Sequence, residues 1–125
     1  MVQRRKPTAA EHGILDVLWT RGPSTVREVA VALGREDAYT TILKLLQIMT
    51  EKRLVKRDDS ARSHVYTAAA SQTQTRKQIV TDLLDRVFNG SAAALVQQAL
   101  DARKVSAQEL DEIRRLIEAH KRGTR

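Results

Sequence analysis

Hydroxyl groups and one ammonium gather at Tyr39, Thr40, Thr41 and Lys44, and Ala38 stands just before them. Guanidinium groups and an imidazole follow at Arg53, Arg57, Arg62 and His64. The chemistry open to such a set is recognition. Short polar side chains near a helix start reach base edges or phosphates, Thr and Ala methyls touch a thymine methyl, and cations further along meet phosphates. Bond-making chemistry has no comparable set. The absence of cysteine removes disulfides, thiol catalysis and Cys-ligated metal. His12, His64 and His120 fall in a first helical turn, a strand and a last helical turn, and no two make a metal pair at helical spacing. The helix dipole accounts for His120 near a helix C-terminus. There is no Gly-rich phosphate loop and no His–Glu pair of the metalloprotease kind. The expectation is a protein with no catalytic residue, no metal site and no cofactor.

The elements that must hold these residues are marked by their boundaries. Thr8-Ala-Ala-Glu11 is a capping box, and Ile14, Leu15, Leu18 and Trp19 follow at helical spacing until Gly22-Pro23 stops the helix. Thr25-Val-Arg-Glu28 repeats the signature over a short helix with Val26, Val29, Ala30 and Leu33 as its apolar set and Gly34 as a left-handed C-terminal cap. A third helix is predicted from near Asp37 to Lys52. Ile42, Leu45, Leu46 and Met49 share one arc of it, while Asp37, Thr40, Thr41, Lys44, Ile48 and Glu51 lie roughly opposite. Two β-branched threonines in a first turn are poor helix formers, so they serve either as side-chain contacts or, for Thr40, as a cap. Tyr39 fits a base or backbone contact, or else a core position.

The period then changes to two. Leu54–Arg57 and Ser63–Tyr66 read as strands around the turn residues Asp58-Asp59-Ser60-Ala61, with Val65 on one face and His64 and Tyr66 on the other. Helix, turn, helix and basic hairpin is the order of a winged helix-turn-helix. Arg62 and His64 beside the tip suit a wing that follows phosphates or enters a minor groove; a solvated basic hairpin is the alternative.

After Thr67 the sequence is Ala-, Gln- and Thr-rich, then helical. Ile79, Val80, Leu83, Leu84 and Val87 form one stripe, ended by Asn89-Gly90; Ala92, Leu95, Val96, Ala99 and Leu100 form a second; Ser106-Ala-Gln-Glu109 is a third capping box, opening a helix with Leu110, Ile113, Leu116 and Ile117. Three amphipathic helices in so few residues build a poor core alone. They either pair with a second copy or fold back onto the N-terminal domain.

With 22 Lys+Arg against 15 Asp+Glu the net charge is +7, which favours a polyanionic partner. Up to Ala70 there are 12 cations against 8 anions, and beyond it 10 against 7, so the total does not place a site. The local clusters Arg4-Arg5-Lys6 and Arg53, Lys56, Arg57, Arg62 do. Nothing resembles a signal peptide, and no apolar run approaches the roughly 20 residues of a membrane span. No membrane insertion and a cytoplasmic location are therefore expected.

Glu11-His-Gly-Ile-Leu-Asp-Val-Leu-Trp19, Gly22-Pro-Ser-Thr-Val-Arg-Glu28 and the run from Tyr39 to Val55 resemble the BlaI/MecI penicillinase-repressor family, and Arg62-Ser-His-Val-Tyr66 is similar to its wing. The likeness spans residues 8–67 well and the C-terminal helices more loosely. It implies a homodimeric winged-helix repressor on palindromic operators of resistance or stress-response genes, with a C-terminal dimerisation domain. In well-known members a membrane-bound sensor protease triggers cleavage there at an Asn–Phe bond; the aligned pair here is Gln98-Ala99. Arg53 stands where many members have a glycine closing the recognition helix, so it must accept a left-handed conformation at a cost on the order of 1 kcal/mol. The cysteine cluster of copper-responsive relatives is missing.

These readings converge on an α+β, mostly helical chain: a winged helix-turn-helix DNA-binding domain over residues 1–70 and an all-α three-helix dimerisation domain over 71–125. Double-stranded operator DNA would meet Ala38, Tyr39, Thr40, Thr41, Lys44, Arg53, Arg57, Arg62 and His64. A second copy would meet Ile79, Leu83, Leu84, Val87, Leu95, Val96, Leu100, Leu110, Ile113 and Ile117. A sensor protease enters as a partner through the resemblance alone. A winged-helix module for protein or structured RNA, or a small enzyme with an unrecognised site, would be the alternatives.

Overall fold

The computed structural model describes residues 6–123, so Arg4 and Arg5 of the N-terminal basic cluster lie outside the described residues. Helix α1 (Ala9–Arg21) starts where its orphan amides find oxygens. The Glu11 N–H donates to Thr8 Oγ1 at 3.2 Å, and the Thr8 N–H donates to Glu11 Oε1 at 2.9 Å. The chain leaves α1 through Gly22 at φ 89° into a two-residue strand β1 (Ser24–Thr25). Thr25 and Glu28 form the second box, at 3.2 and 2.8 Å, over α2 (Val26–Ala32). Gly34, at φ 68°, closes α2: its N–H donates to Val31 O and that of Arg35 to Ala30 O, a Schellman arrangement.

The third helix starts slightly later than the sequence suggests. Glu36–Ala38 form a 3-10 turn, and α3 runs Tyr39–Glu51 without a side-chain cap at its start, so Thr40 does not cap it. Beneath α3, Ile42, Leu46 and Met49 are buried with Ile14, Leu15, Leu18, Val26, Val29 and Ala30. Leu45 is only half-buried, and so is Ile48. Arg53 follows at φ 66°, with its N–H on Thr50 O and the N–H of Leu54 on Met49 O. The closure is a second Schellman turn, formed around an arginine as expected.

Strands β2 (Val55–Asp58) and β3 (Val65–Ala68) form the wing, and β1 joins them in the antiparallel order β1-β3-β2. Both wing strands lie nearer the C-terminus than the sequence reading placed them. Tyr66 sets the register: it pairs with Ser24 on one side and Arg57 on the other, and its ring is buried against the core. Shifting β3 by one residue would turn that ring to solvent. His64 consequently precedes the strand and stays exposed, while Tyr66 is buried.

Two further ties hold this unit. The Trp19 indole N–H donates to Ala70 O at 2.9 Å, tethering the half-buried ring of α1 to the segment after the wing. Lys52 Nζ lies 2.8 and 3.0 Å from the two oxygens of Glu11, whose residue is only 2% exposed. This ion pair joins the first turn of α1 to the end of α3.

Helix α4 (Gln72–Val87) opens on a reciprocal Ser71–Gln74 box, at 3.1 and 3.0 Å. Asn89 (φ 51°) and Gly90 (φ 80°) end it, Ser91 caps α5 (Ala92–Ala102), and the Ser106 hydroxyl accepts from Glu109 at the head of α6 (Ala107–Gly123). The chain divides into two compact units, one running to Thr81 and one from Asp82, so the division falls within α4. Every residue of the hydrophobic core lies in the first unit. Among the described residues of the second unit none is buried, and Leu83, Val87, Val96, Leu110, Leu116 and Ile117 are 37 to 65% exposed.

Candidate nucleic-acid interface

Once α3 has seated Ile42, Leu46 and Met49, its other face is fixed by helical geometry. Thr40, Thr41 and Lys44 are exposed there, and Tyr39 is 43% exposed at the first position. Ala38 ends the 3-10 turn half-buried and packs on the core.

Between the start of α3 and the wing opens a cleft of about 450 Å³, lined by Thr25, Val26, Arg27, Tyr39, Leu43, Arg62, Ser63, His64 and Tyr66. It brings together three of the residues expected from sequence: Tyr39, Arg62 and His64. Thr40, Thr41 and Lys44 continue along α3 outside the cleft lining, and Arg53 closes the far end of the helix. Arg57 lies on β2. Two guanidinium groups, an imidazole and four hydroxyl-bearing residues around one concavity suit a phosphate or a carboxylate; no acidic side chain lines it.

The wing tip is internally paired. Asp58 Oδ1 accepts the Ser60 N–H at 2.9 Å, and hydrogen bonds from Ser60, through its hydroxyl and then its backbone, hold the Asp58 carboxyl below its ordinary range. Asp59 reaches Arg57 side-on, with Nε 2.8 Å from Oδ1 and Nη2 3.3 Å from Oδ2, and His64 Nε2 lies 3.7 Å from the same Oδ1. Below the cleft, the Thr25 N–H holds the Glu28 carboxyl below its usual range, helped by the Thr25 hydroxyl and Arg21.

Arg27, Leu43 and Asp59 were not among the site residues expected from the sequence. Arg27 is the outward residue inside the Thr25–Glu28 box, a position that marks it as solvent-facing. Its nearness to the wing depends on β1–β3 pairing, which two residues of strand do not announce. Asp59 was read only as a turn former.

Among the described residues no group of three or more His, Cys, Asp or Glu is placed to hold a metal ion. No described helix is long and apolar enough to cross a membrane.

The penicillinase repressor family profile matches residues 7–119. The chain is 32% identical to the transcriptional regulator BlaI of Mycobacterium tuberculosis over 111 residues, which cover 86% of this chain and 79% of that protein. It is 24% identical to the penicillinase repressor of Bacillus licheniformis over 114 residues, 90% of this chain and 89% of the other. A crystal structure of a transcriptional regulator from Thermotoga maritima overlaps with a TM-score of 0.47 at 19% identity, over 94% of this chain and 79% of that one.

Proposed function

The chain belongs to the penicillinase repressor family, whose members are DNA-binding transcriptional repressors and not enzymes, and from that premise we propose that it acts as a homodimer on a two-fold symmetric operator. The observation that carries the proposal is the exposed Tyr39–Lys44 face of α3, set rigidly over a buried face and beside a basic cleft. Inserted in a major groove, Thr40 and Thr41 would meet base edges and Lys44 a phosphate. Tyr39, Arg62 and His64 would fix register on the backbone, with Arg53 and Arg57 adding attraction at either side. Ala38 would contribute by shaping the turn that starts α3.

A helix of this length reads only a few base pairs, so specificity needs two copies. The C-terminal helices support that requirement, because their apolar stripes remain only partly covered in one chain. Ile79, Leu84, Leu95, Leu100 and Ile113 are half-buried, while Leu83, Val87, Val96, Leu110 and Ile117 are more exposed; Leu116, at 65%, is the most exposed large apolar residue among the described residues. A second copy of the same stripes would cover them by an isologous interface. Half-sites would then be centred about one helical turn, ~34–36 Å, apart or slightly more. The targets would be resistance or stress-response genes, and the place of action the cytoplasm, with the DNA. A sensor protease of the family's kind would have to accept Gln98-Ala99, exposed within α5, in place of an Asn–Phe bond.

Footprinting on the DNA upstream of the protein's own gene tests the proposal. Two symmetric protected segments are expected. Uniform or absent protection would turn the surface over to a protein or a structured RNA.

A further inference from the structure

A basic wing built to meet DNA carries two adjacent carboxylates at its tip, and only one of them is needed for the turn. Asp58 closes the turn through Ser60. Asp59 instead grips Arg57 through both of its oxygens, at 2.8 and 3.3 Å, and stands 3.7 Å from the His64 imidazole. The arrangement matches what a phosphate would make with the same two side chains: two oxygens against a guanidinium edge, with a ring N–H beside them.

Resting on the reading that the wing meets the DNA backbone, we propose that Asp59 is an intramolecular stand-in for a DNA phosphate that lowers affinity for every sequence. Arg57, Asp59 and His64 are 38, 54 and 48% exposed at their side chains, so the pairing is weak and water-screened. An arriving phosphate displaces it readily. The carboxylate then remains beside the phosphate and repels it, and Arg57 releases fewer counterions than an unpaired arginine would. Because backbone charge carries no sequence information, the penalty falls equally on operator and random DNA. Asp59 thus sets how much of the genome the repressor occupies without changing which site it prefers.

The test uses the full chain with two duplexes of equal length, the footprinted upstream site and a random sequence, titrated over a range of salt. Asp59→Asn should tighten both complexes by about five-fold at low salt and steepen the dependence of log K on log salt by about one unit. In an Arg57→Ala background the gain should shrink. Unchanged or weaker binding by Asp59→Asn, while Arg62→Ala still weakens both complexes and flattens the slope, would overturn the proposal and leave the wing on the DNA. Tightening on the operator duplex alone would overturn it too, since that would make Asp59 a base reader. If Arg62→Ala changes neither duplex, the wing is off the backbone, and the proposal falls with the reading beneath it.

Discussion

Removing the cation of the Glu11–Lys52 pair should be among the most damaging single changes outside the apolar core. Lys52→Met keeps the length of the side chain and its packing but takes away the ammonium 2.8 and 3.0 Å from the Glu11 oxygens. Glu11 is left 2% exposed, still held by Thr8, whose N–H lies at 2.9 Å. Breaking a buried pair in this one-sided way costs about 3–5 kcal/mol. The Lys52 side chain is 18% exposed, so water reaches the vacancy, and about 2–3 kcal/mol is the discounted expectation. For a unit of this size each kcal/mol lowers Tm by about 4–8 °C, so thermal unfolding followed by circular dichroism should show a drop of about 10–20 °C at neutral pH. The pH dependence follows from the two states of Glu11. Burial acts to raise its pKa, but the Lys52 and Thr8 hydrogen bonds and the Lys52 charge outweigh burial and hold it below the ordinary carboxylate range. In the native protein the pair therefore stabilises fully above the ordinary carboxylate range and less as pH falls through the lowered value. In Lys52→Met burial dominates and Glu11 titrates above that range, so acid relieves the variant. The gap between the two proteins should shrink from pH 7 toward about pH 4. The double variant Glu11→Gln, Lys52→Met should recover part of the loss, because no charge is left stranded. A deficit below about 0.5 kcal/mol at pH 7, or one that does not narrow on acidification, would refute the reasoning.

Arg53→Gly removes the strain of an L-residue at φ 66°, about 1–2 kcal/mol, against a loss of somewhat under 1 kcal/mol from a freer unfolded chain. Tm should rise by about 2–4 °C while DNA affinity falls; a lower Tm in calorimetry would contradict the strain. Thr41→Ala should cost about 1–3 kcal/mol on operator DNA and little on random DNA by anisotropy titration, and equal losses would take Thr41 out of base reading. Ile117→Asp, half exposed in a single chain, would place an unpaired charge in the dimer contact and raise the dissociation constant by about a hundred-fold or more. Sedimentation equilibrium of the full chain checks it, and an unaltered mass would remove α6 from the interface.

Local chemistry was the legible part of this fold. The boxes at Thr8–Glu11 and Thr25–Glu28 and the turn at Gly34 each need only a few neighbouring residues to specify them, and each forms as the residue types imply, whereas the left-handed Arg53 was legible only through the family resemblance. The exposed face of α3 followed in the same way from its period. What was illegible depends on distant segments meeting. A strand as short as Ser24–Thr25 has no periodicity, yet it pins Tyr66 and so moves the wing strands and puts Arg27 across from Arg62 and His64. Glu11 looked fully used by its capping box; the same carboxylate also takes Lys52, 41 residues away, and nothing in the spacing says so. Leu43 belongs to neither face assigned to α3 from its period, and the wing's position makes it part of the cleft.

The central claim is that two copies of this chain read one DNA sequence, and paired titrations of the full-length protein on its footprinted upstream duplex and on a scrambled duplex test it most directly. At near-physiological salt the footprinted duplex should bind about a thousand-fold or more tighter. Both affinities should fall steeply as salt rises. Equal affinity for the two duplexes, at any salt, would contradict the account.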